Sequence, residues 1–180
     1  MYYVIQVAPG MEERTETWIR NKVKHDVYDC CFHPVRHRRK KFHGEWKDLY
    51  EKLLPGYVFI VSDLIHELYQ ELGQVPAFTK ILGKEGDYFT SLHENEVDWL
   101  GRIMVPGLSD EGYAEIGLSK IIVTKQNTIE ILSGPLQNLK DRIRKINLHK
   151  RIAEVEVDFM GRKKIVYLGI ELVKTGEDLE

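Results

Sequence analysis

Cysteine is almost missing from this chain. There are two in 180 residues, Cys30 and Cys31, and they are neighbours. Adjacent thiols are poor disulfide partners, so no covalent staple is expected and the fold must rest on buried apolar surface. A reducing cytoplasm is the natural setting, with each thiol read as a small apolar residue in a strand. No apolar run approaches the ~20 residues of a membrane helix. The first residues do not show a basic stretch followed by an apolar core and a small-residue cleavage site, so a secretory leader is not expected. Catalytic signatures are missing too: no G-x-S-x-G, no phosphate-binding glycine loop, no paired carboxylates in a telling context. The expectation is a protein that is not an enzyme. Cys30, Cys31, His33, His37 and His43 lie within fourteen residues. Zinc sites, however, present ligands at two- to four-residue spacing in each half, and adjacent cysteines point to opposite faces of a strand. No metal and no cofactor are expected.

What is present is a soluble globular composition, 43% hydrophobic and 30% charged, enough for one domain or two small ones. The net charge of −2 hides a split. Residues 1–119 sum to −5, residues 120–176 to +6, and the last four add −3. A basic C-terminal third on an acidic body suggests a nucleic-acid contact on one part only.

The order of elements reads β-α-β-β-α-β-α up to residue 106. A strand runs from Tyr2 to Ala8, closed by Pro9-Gly10, and a helix from Glu12 to Lys24. A second strand spans Val27 to Phe32, followed by a basic stretch to Gly44 and a mixed polar segment, Lys47 to Leu54. The most strand-like run, Tyr57 to Val61, follows Pro55-Gly56. Leu64, Ile65, Leu68, Tyr69 and Leu72 form one face of a short helix. Phe78 to Leu82 is a short strand, and Ser91 with Glu94 makes a capping-box pattern for a last helix running toward Pro106-Gly107. This order predicts an α+β domain, an antiparallel sheet with helices on one face in the ferredoxin-like manner. The stretch Gly107 to Gly117 reads as a linker.

Beyond it the period changes. Leu136, Leu139, Ile143 and Ile146 recur at helical spacing, so pattern alone predicts an amphipathic helix there. Val155, Val157 and Phe159 then alternate with Glu154, Glu156 and Asp158, Met160-Gly161 turns the chain, and Ile165 to Leu168 returns it as a hairpin. Several short strands in so few residues could close a small barrel.

Two blocks now carry a resemblance. "MYYVIQVAPGMEE", with "LLPGYVFI" at 53–60 and "VPAFTKILG" at 75–83, resembles the N-terminal (NGN) domain of NusG-type transcription elongation factors. "ILSGPLQNLKDRIRKINLHKRIAEVEVDFMGRKKIVYLGIELV" at 131–173 resembles the KOW domain that follows it. The blocks stand in the family's order and span nearly the whole chain. Within the family, the second block is most similar to the specialised LoaP-type antiterminators of long biosynthetic operons. One departure is that KOW sequences usually place a glycine shortly after the first loop, where Lys140-Asp141 stand here.

The resemblance implies an NGN domain over 1–108, a linker over 109–119 and a small KOW β-barrel over 120–180. It replaces the predicted helix over 136–147 by a loop and a strand. A related factor, RfaH, switches its C-terminal domain between helical and barrel forms, but the clear hairpin over 152–168 speaks for the barrel. It further implies a monomeric cytoplasmic factor that docks on the clamp helices of RNA polymerase through Pro55, Gly56, Tyr57 and Phe59. Strand alternation turns Tyr57 and Phe59 to one face and Val58 and Ile60 to the other, so one pair packs on helices and the other is free to bind. Arg36, Arg38, Arg39, Lys40 and Lys41 are candidates for the backbone of upstream or non-template DNA, or simply a solvated loop. Asn138, Lys140, Arg142, Arg144, Lys145, His149, Lys150, Arg151, Arg162, Lys163 and Lys164 are candidates for binding a structured nascent RNA. Two other readings stay open: a general NusG-like factor whose KOW domain binds protein, and a ribosome-associated KOW protein.

Overall fold

The computed structural model describes residues 1–76, 80–104 and 114–174. The N-terminal part is built on a four-stranded antiparallel sheet in the order β2-β5-β1-β6: Cys30–Phe32 (β2), Tyr57–Val61 (β5), Tyr2–Gln6 (β1) and Lys80–Ile81 (β6). Phe78 and Thr79, expected in that last strand, lie outside the described residues. Helices α1 (Glu12–Lys22) and α2 (Ile65–Leu72) cover one face, where Ile19, Leu68 and Leu72 meet Tyr3, Ile5, Val58 and Ile60. Helix α3 (Glu94–Ile103) does not join them. Its Trp99, Leu100 and Ile103 belong to the core on the other face, with Val4, Phe32 and Phe59. The cap of α3 also sits two residues later than Ser91 suggests. Glu96 Oε2 accepts a 2.8 Å hydrogen bond from His93 N, the reciprocal half of a capping box.

The basic stretch is no loop. Pro34–Phe42 (β3) and Glu45–Lys52 (β4) form a long hairpin, turned by His43 and Gly44, both at positive φ. Such a two-residue turn matches the natural strand twist. Ala114–Ile116 (β9) pairs parallel with β3, so part of the expected linker is a strand of this second sheet. Residues 109–113 of that linker lie outside the described residues. A small ribbon, Lys84–Glu85 (β7) with Tyr88–Phe89 (β8), precedes α3.

The C-terminal part is one five-stranded sheet, β11-β10-β14-β13-β12. Its strands are Ser119–Val123 (β10), Ile129–Ser133 (β11), Ile143–Asn147 (β12), Ile152–Phe159 (β13) and Arg162–Leu172 (β14). Its edge strands β11 and β12 line a common groove, so the sheet curls toward a barrel. The helical spacing at 136–146 resolves into a 3₁₀ segment, Pro135–Arg142, followed by β12. Its Leu136 and Leu139 plug the curled sheet above Ile121, Val155 and Leu168. Three-residue periodicity of the short segment and the two-residue period of the strand together mimic a helical repeat. The glycine this loop needs is Gly134, at φ +96°, where a Cβ would stand 2.5 Å from Leu118 O. That requirement falls before the loop rather than at Lys140-Asp141.

Candidate docking face and basic surfaces

The docking strand β5 is divided as its alternation predicts. Val58 and Ile60 are fully buried beneath α1 and α2, while Tyr57 and Phe59 turn the other way. That second face is occupied. Phe159 at the end of β13 sets its ring 5.1 Å from Tyr57 and 6.2 Å from Phe59. Phe59 is 1% exposed and stacks on Phe32 as well, so it is core in this closed arrangement, whereas Tyr57 keeps part of its surface. Lys164 lies over both Tyr57 and Phe159.

Directional contacts fix the closure. Trp99 Nε1 donates to Asp158 O at 2.8 Å, and Gly161 N donates to Glu96 Oε1 at 2.8 Å. One buried carboxylate thus caps α3 and holds the β13–β14 turn. Arg36 Nη1 donates to Tyr167 O at 2.8 Å. Gly169 lies directly on β3: a Cβ there would stand 2.1 Å from His37 O.

Pro55 and Gly56 set the approach to β5. Gly56 N donates to Glu12 Oε1 at 2.7 Å, and Gly10 N to Glu12 Oε2 at 2.8 Å. Glu12 is fully buried and also faces Lys52 Nζ at 3.6 Å. The sequence marks Glu12 only as the first residue of a helix. Its real work, joining two Pro-Gly turns, needs the three-dimensional meeting of residues 10, 12 and 56.

The eleven candidate RNA residues do not form one surface. Arg142 and Lys163 pair with Asp158, and Arg144 with Glu156 at 3.0 Å. Hydrogen bonds from Lys163 and Arg142 hold the Asp158 carboxyl below its ordinary range, and Arg144 does the same for Glu156. Asn138 Nδ2 donates to Arg102 O at 3.0 Å, a domain contact rather than a free reader. Lys140 borders the groove between β11 and β12, and Arg162 is exposed at the β13–β14 turn. Lys145, His149, Lys150 and Arg151 stand together elsewhere, facing β3.

The five candidate DNA residues also divide. Arg36 and Arg38 are tied to Glu51, and Arg39 to Asp48 and Glu171. Lys40 lies over the Phe42 ring, and Lys41 makes no ion pair among the described residues. Three of the clustered histidines and cysteines have other roles. His33 is buried and bonds through Nδ1 to Glu16, His37 stacks on Tyr50, and burial pushes the Cys31 thiol up. Among the described residues no group of three or more His, Cys, Asp or Glu is placed to hold a metal ion. No described helix is long and apolar enough to cross a membrane.

A helix-and-sheet N-terminal domain followed by a β-rich C-terminal domain is the architecture of a class of two-domain transcription factors. The family profile for transcription termination factor NusG matches residues 1–100, and the chain belongs to the NusG family. It is 27% identical over 173 residues to the transcription termination/antitermination protein NusG of Halalkalibacterium halodurans, covering 93% of both chains. It is 24% identical over 182 residues to the same-named protein of Helicobacter pylori, covering 96% of this chain and 98% of that one. Among solved structures it is similar to one described as "Domain interaction in Thermotoga maritima NusG", with a TM-score of 0.51, 19% identity and 92% of that chain covered. The chain is a NusG-like transcription termination/antitermination factor.

Proposed function

We propose that this chain is an operon-specific processive antitermination factor of the LoaP type. Residues 1–108 ride on the clamp helices of RNA polymerase, and residues 120–180 bind a structured element of the nascent transcript. The observation that carries the docking half is the two-faced β5: Val58 and Ile60 serve the helices, and Tyr57 and Phe59 form an aromatic face on which a helix could lie. In the closed arrangement Phe159 holds that place. Engagement of polymerase therefore requires the C-terminal domain to leave, and the closed form is the resting state of the free factor. RNA held by the factor would tether it near its polymerase and raise the local concentration of the docking face.

Tyr57→Ala is the direct test, because Tyr57 is partly exposed whereas Phe59→Ala would also open a cavity costing about 3–5 kcal/mol. Loss of an anchoring tyrosine is expected to weaken co-purification of RNA polymerase by ~2 kcal/mol or more, with antitermination lost and affinity for leader RNA unchanged. Unchanged polymerase capture by a folded Tyr57→Ala protein would place the anchor elsewhere.

A further inference from the structure

The two basic clusters that the sequence keeps a hundred residues apart are parts of one groove. The hairpin β3–β4 supplies one wall, and β12 with the turn at residues 148–151 supplies the other. Between them lies a cavity of about 860 Å³. Seven of its fourteen lining residues are Lys or Arg, and Glu154 is the one acid. Lys40 and Lys41 come from the N-terminal part, Lys145, Lys150 and Arg151 from the C-terminal part. Among the described residues Lys41, Lys145 and Lys150 make no ion pair.

That is an expensive arrangement for the free protein. Like charges brought together across a domain boundary repel; closure pairs Arg39 with Glu171 on β14 but leaves Lys41, Lys145 and Lys150 without an acid among the described residues. The contrast with β13 is instructive: there Arg142, Arg144 and Lys163 are each matched to Glu156 or Asp158. Aromatic surface stands at the same groove. Trp46 lies on the hairpin wall beneath the Arg151 guanidinium, 5.0 Å from its ring centre, and Tyr167 and His149 also border the space. Unmatched ammonium groups beside flat rings are the combination that grips an unpaired nucleic-acid strand: phosphates offset the lysines, and bases stack on the rings.

We infer that this groove binds an unpaired strand of nucleic acid, with RNA as the ligand, across both domains at once. Lys41 and Lys150 hold phosphates from opposite walls, and Trp46 takes a base in exchange for the Arg151 stack. The inference rests on the RNA-binding reading above and extends it: the site includes the N-terminal hairpin and exists complete only while the domains are closed. A strand bound there favours closure, and by linkage whatever opens the domains weakens its hold.

The test uses the full chain and fluorescence anisotropy with a labelled twelve-nucleotide oligouridine, the matching oligothymidine and a plain RNA duplex, across a salt series. Lys41→Ala and Lys150→Ala are each expected to weaken oligouridine binding several-fold and to lower the salt slope by about 1. Trp46→Ala should weaken the single strands several-fold and leave the duplex unaffected. Lys41 and Lys150 are exposed and Trp46 is half-buried, and circular dichroism verifies that the variants fold. Oligothymidine bound as tightly as oligouridine would overturn RNA as the ligand in favour of exposed non-template DNA. If Lys150→Ala weakens binding while Lys41→Ala and Trp46→Ala do not, the shared groove is overturned and RNA binding by the C-terminal domain stands. If the protein binds oligouridine but none of the three variants alters that binding, the groove is overturned; if the parent protein binds neither oligouridine nor a leader hairpin, the RNA-binding reading falls with it.

Discussion

Glu12 shows how much of this fold hangs on single polar side chains. It sits at zero exposure and accepts from two backbone amides, Gly10 N and Gly56 N, in turns 46 residues apart. A buried carboxylate is tolerated there because both oxygens have donors and Lys52 stands close. Glu12→Ala would leave Gly56 N unsatisfied in the interior, at a cost of about 1–3 kcal/mol. Urea denaturation should show that loss, and weaker capture of RNA polymerase should accompany it, because the Gly56 turn sets the start of β5. A variant as stable as the parent would mean that water replaces the carboxylate without cost. Glu96 works the same way at the domain boundary, serving α3 with one oxygen and Gly161 N with the other. The bonds to Gly56 and Gly161 are not legible from spacing, since each joins residues distant in sequence.

At the scale of elements, the β3–β4 hairpin has the clearest electrostatic signature. Burial pushes the Glu51 carboxyl up, but hydrogen bonds and charge from Arg36 and Arg38 outweigh it and leave it below its ordinary value of 4.5. The folded form then binds that proton more weakly than the unfolded chain. Its stabilising contribution is complete above about pH 4.5 and fades as the pH falls through the lowered value. A Glu51→Gln protein should accordingly lose less stability between pH 5 and pH 3 than the parent, measured by thermal melts. Equal slopes would show that other carboxylates govern the acid limb. The hairpin was hard to read because residues 36–41 are an unbroken basic run whose first members are half-buried through ion pairs rather than apolar packing, so the usual in-out pattern is missing. The 3₁₀ segment was misleading for the opposite reason, since Leu136 and Leu139 are true core residues spaced like a helix.

The whole molecule is governed by the contact between its two parts. Phe159 covers Tyr57 and Phe59, and Gly169 lets β14 lie on β3 with no room for even a methyl group. Gly169→Ala should therefore push the parts asunder without replacing any residue of the docking face or of the groove. In small-angle X-ray scattering the radius of gyration should rise by several ångströms above the ~16 Å of a closed globule of this length. Amide chemical shifts should still report the strands of the C-terminal sheet. Polymerase capture should strengthen and oligouridine binding weaken. An unchanged radius would mean that the strands slide to admit the methyl group and that the closure tolerates it.

The sequence by itself determined which segments are strands and helices in the N-terminal core, because a half-buried sheet writes its in-out alternation into residues 2–6 and 57–61. It also determined the hairpin of residues 152–168, the change of charge between the two parts, and membership of the family through residues 53–60 and their neighbours. Tertiary structure decided what those faces meet. Alternation says that Tyr57 and Phe59 share a side of β5, but it cannot say that the occupant of that side is Phe159, a hundred residues on. Counting charge says that two segments are basic, but it cannot say which lysines find acids on β13 and which are left to face each other across a groove. The physical reason is common to both: local pattern records whether a side chain is buried or solvated, whereas the identity of its partner depends on contacts made only when distant parts of the chain come together.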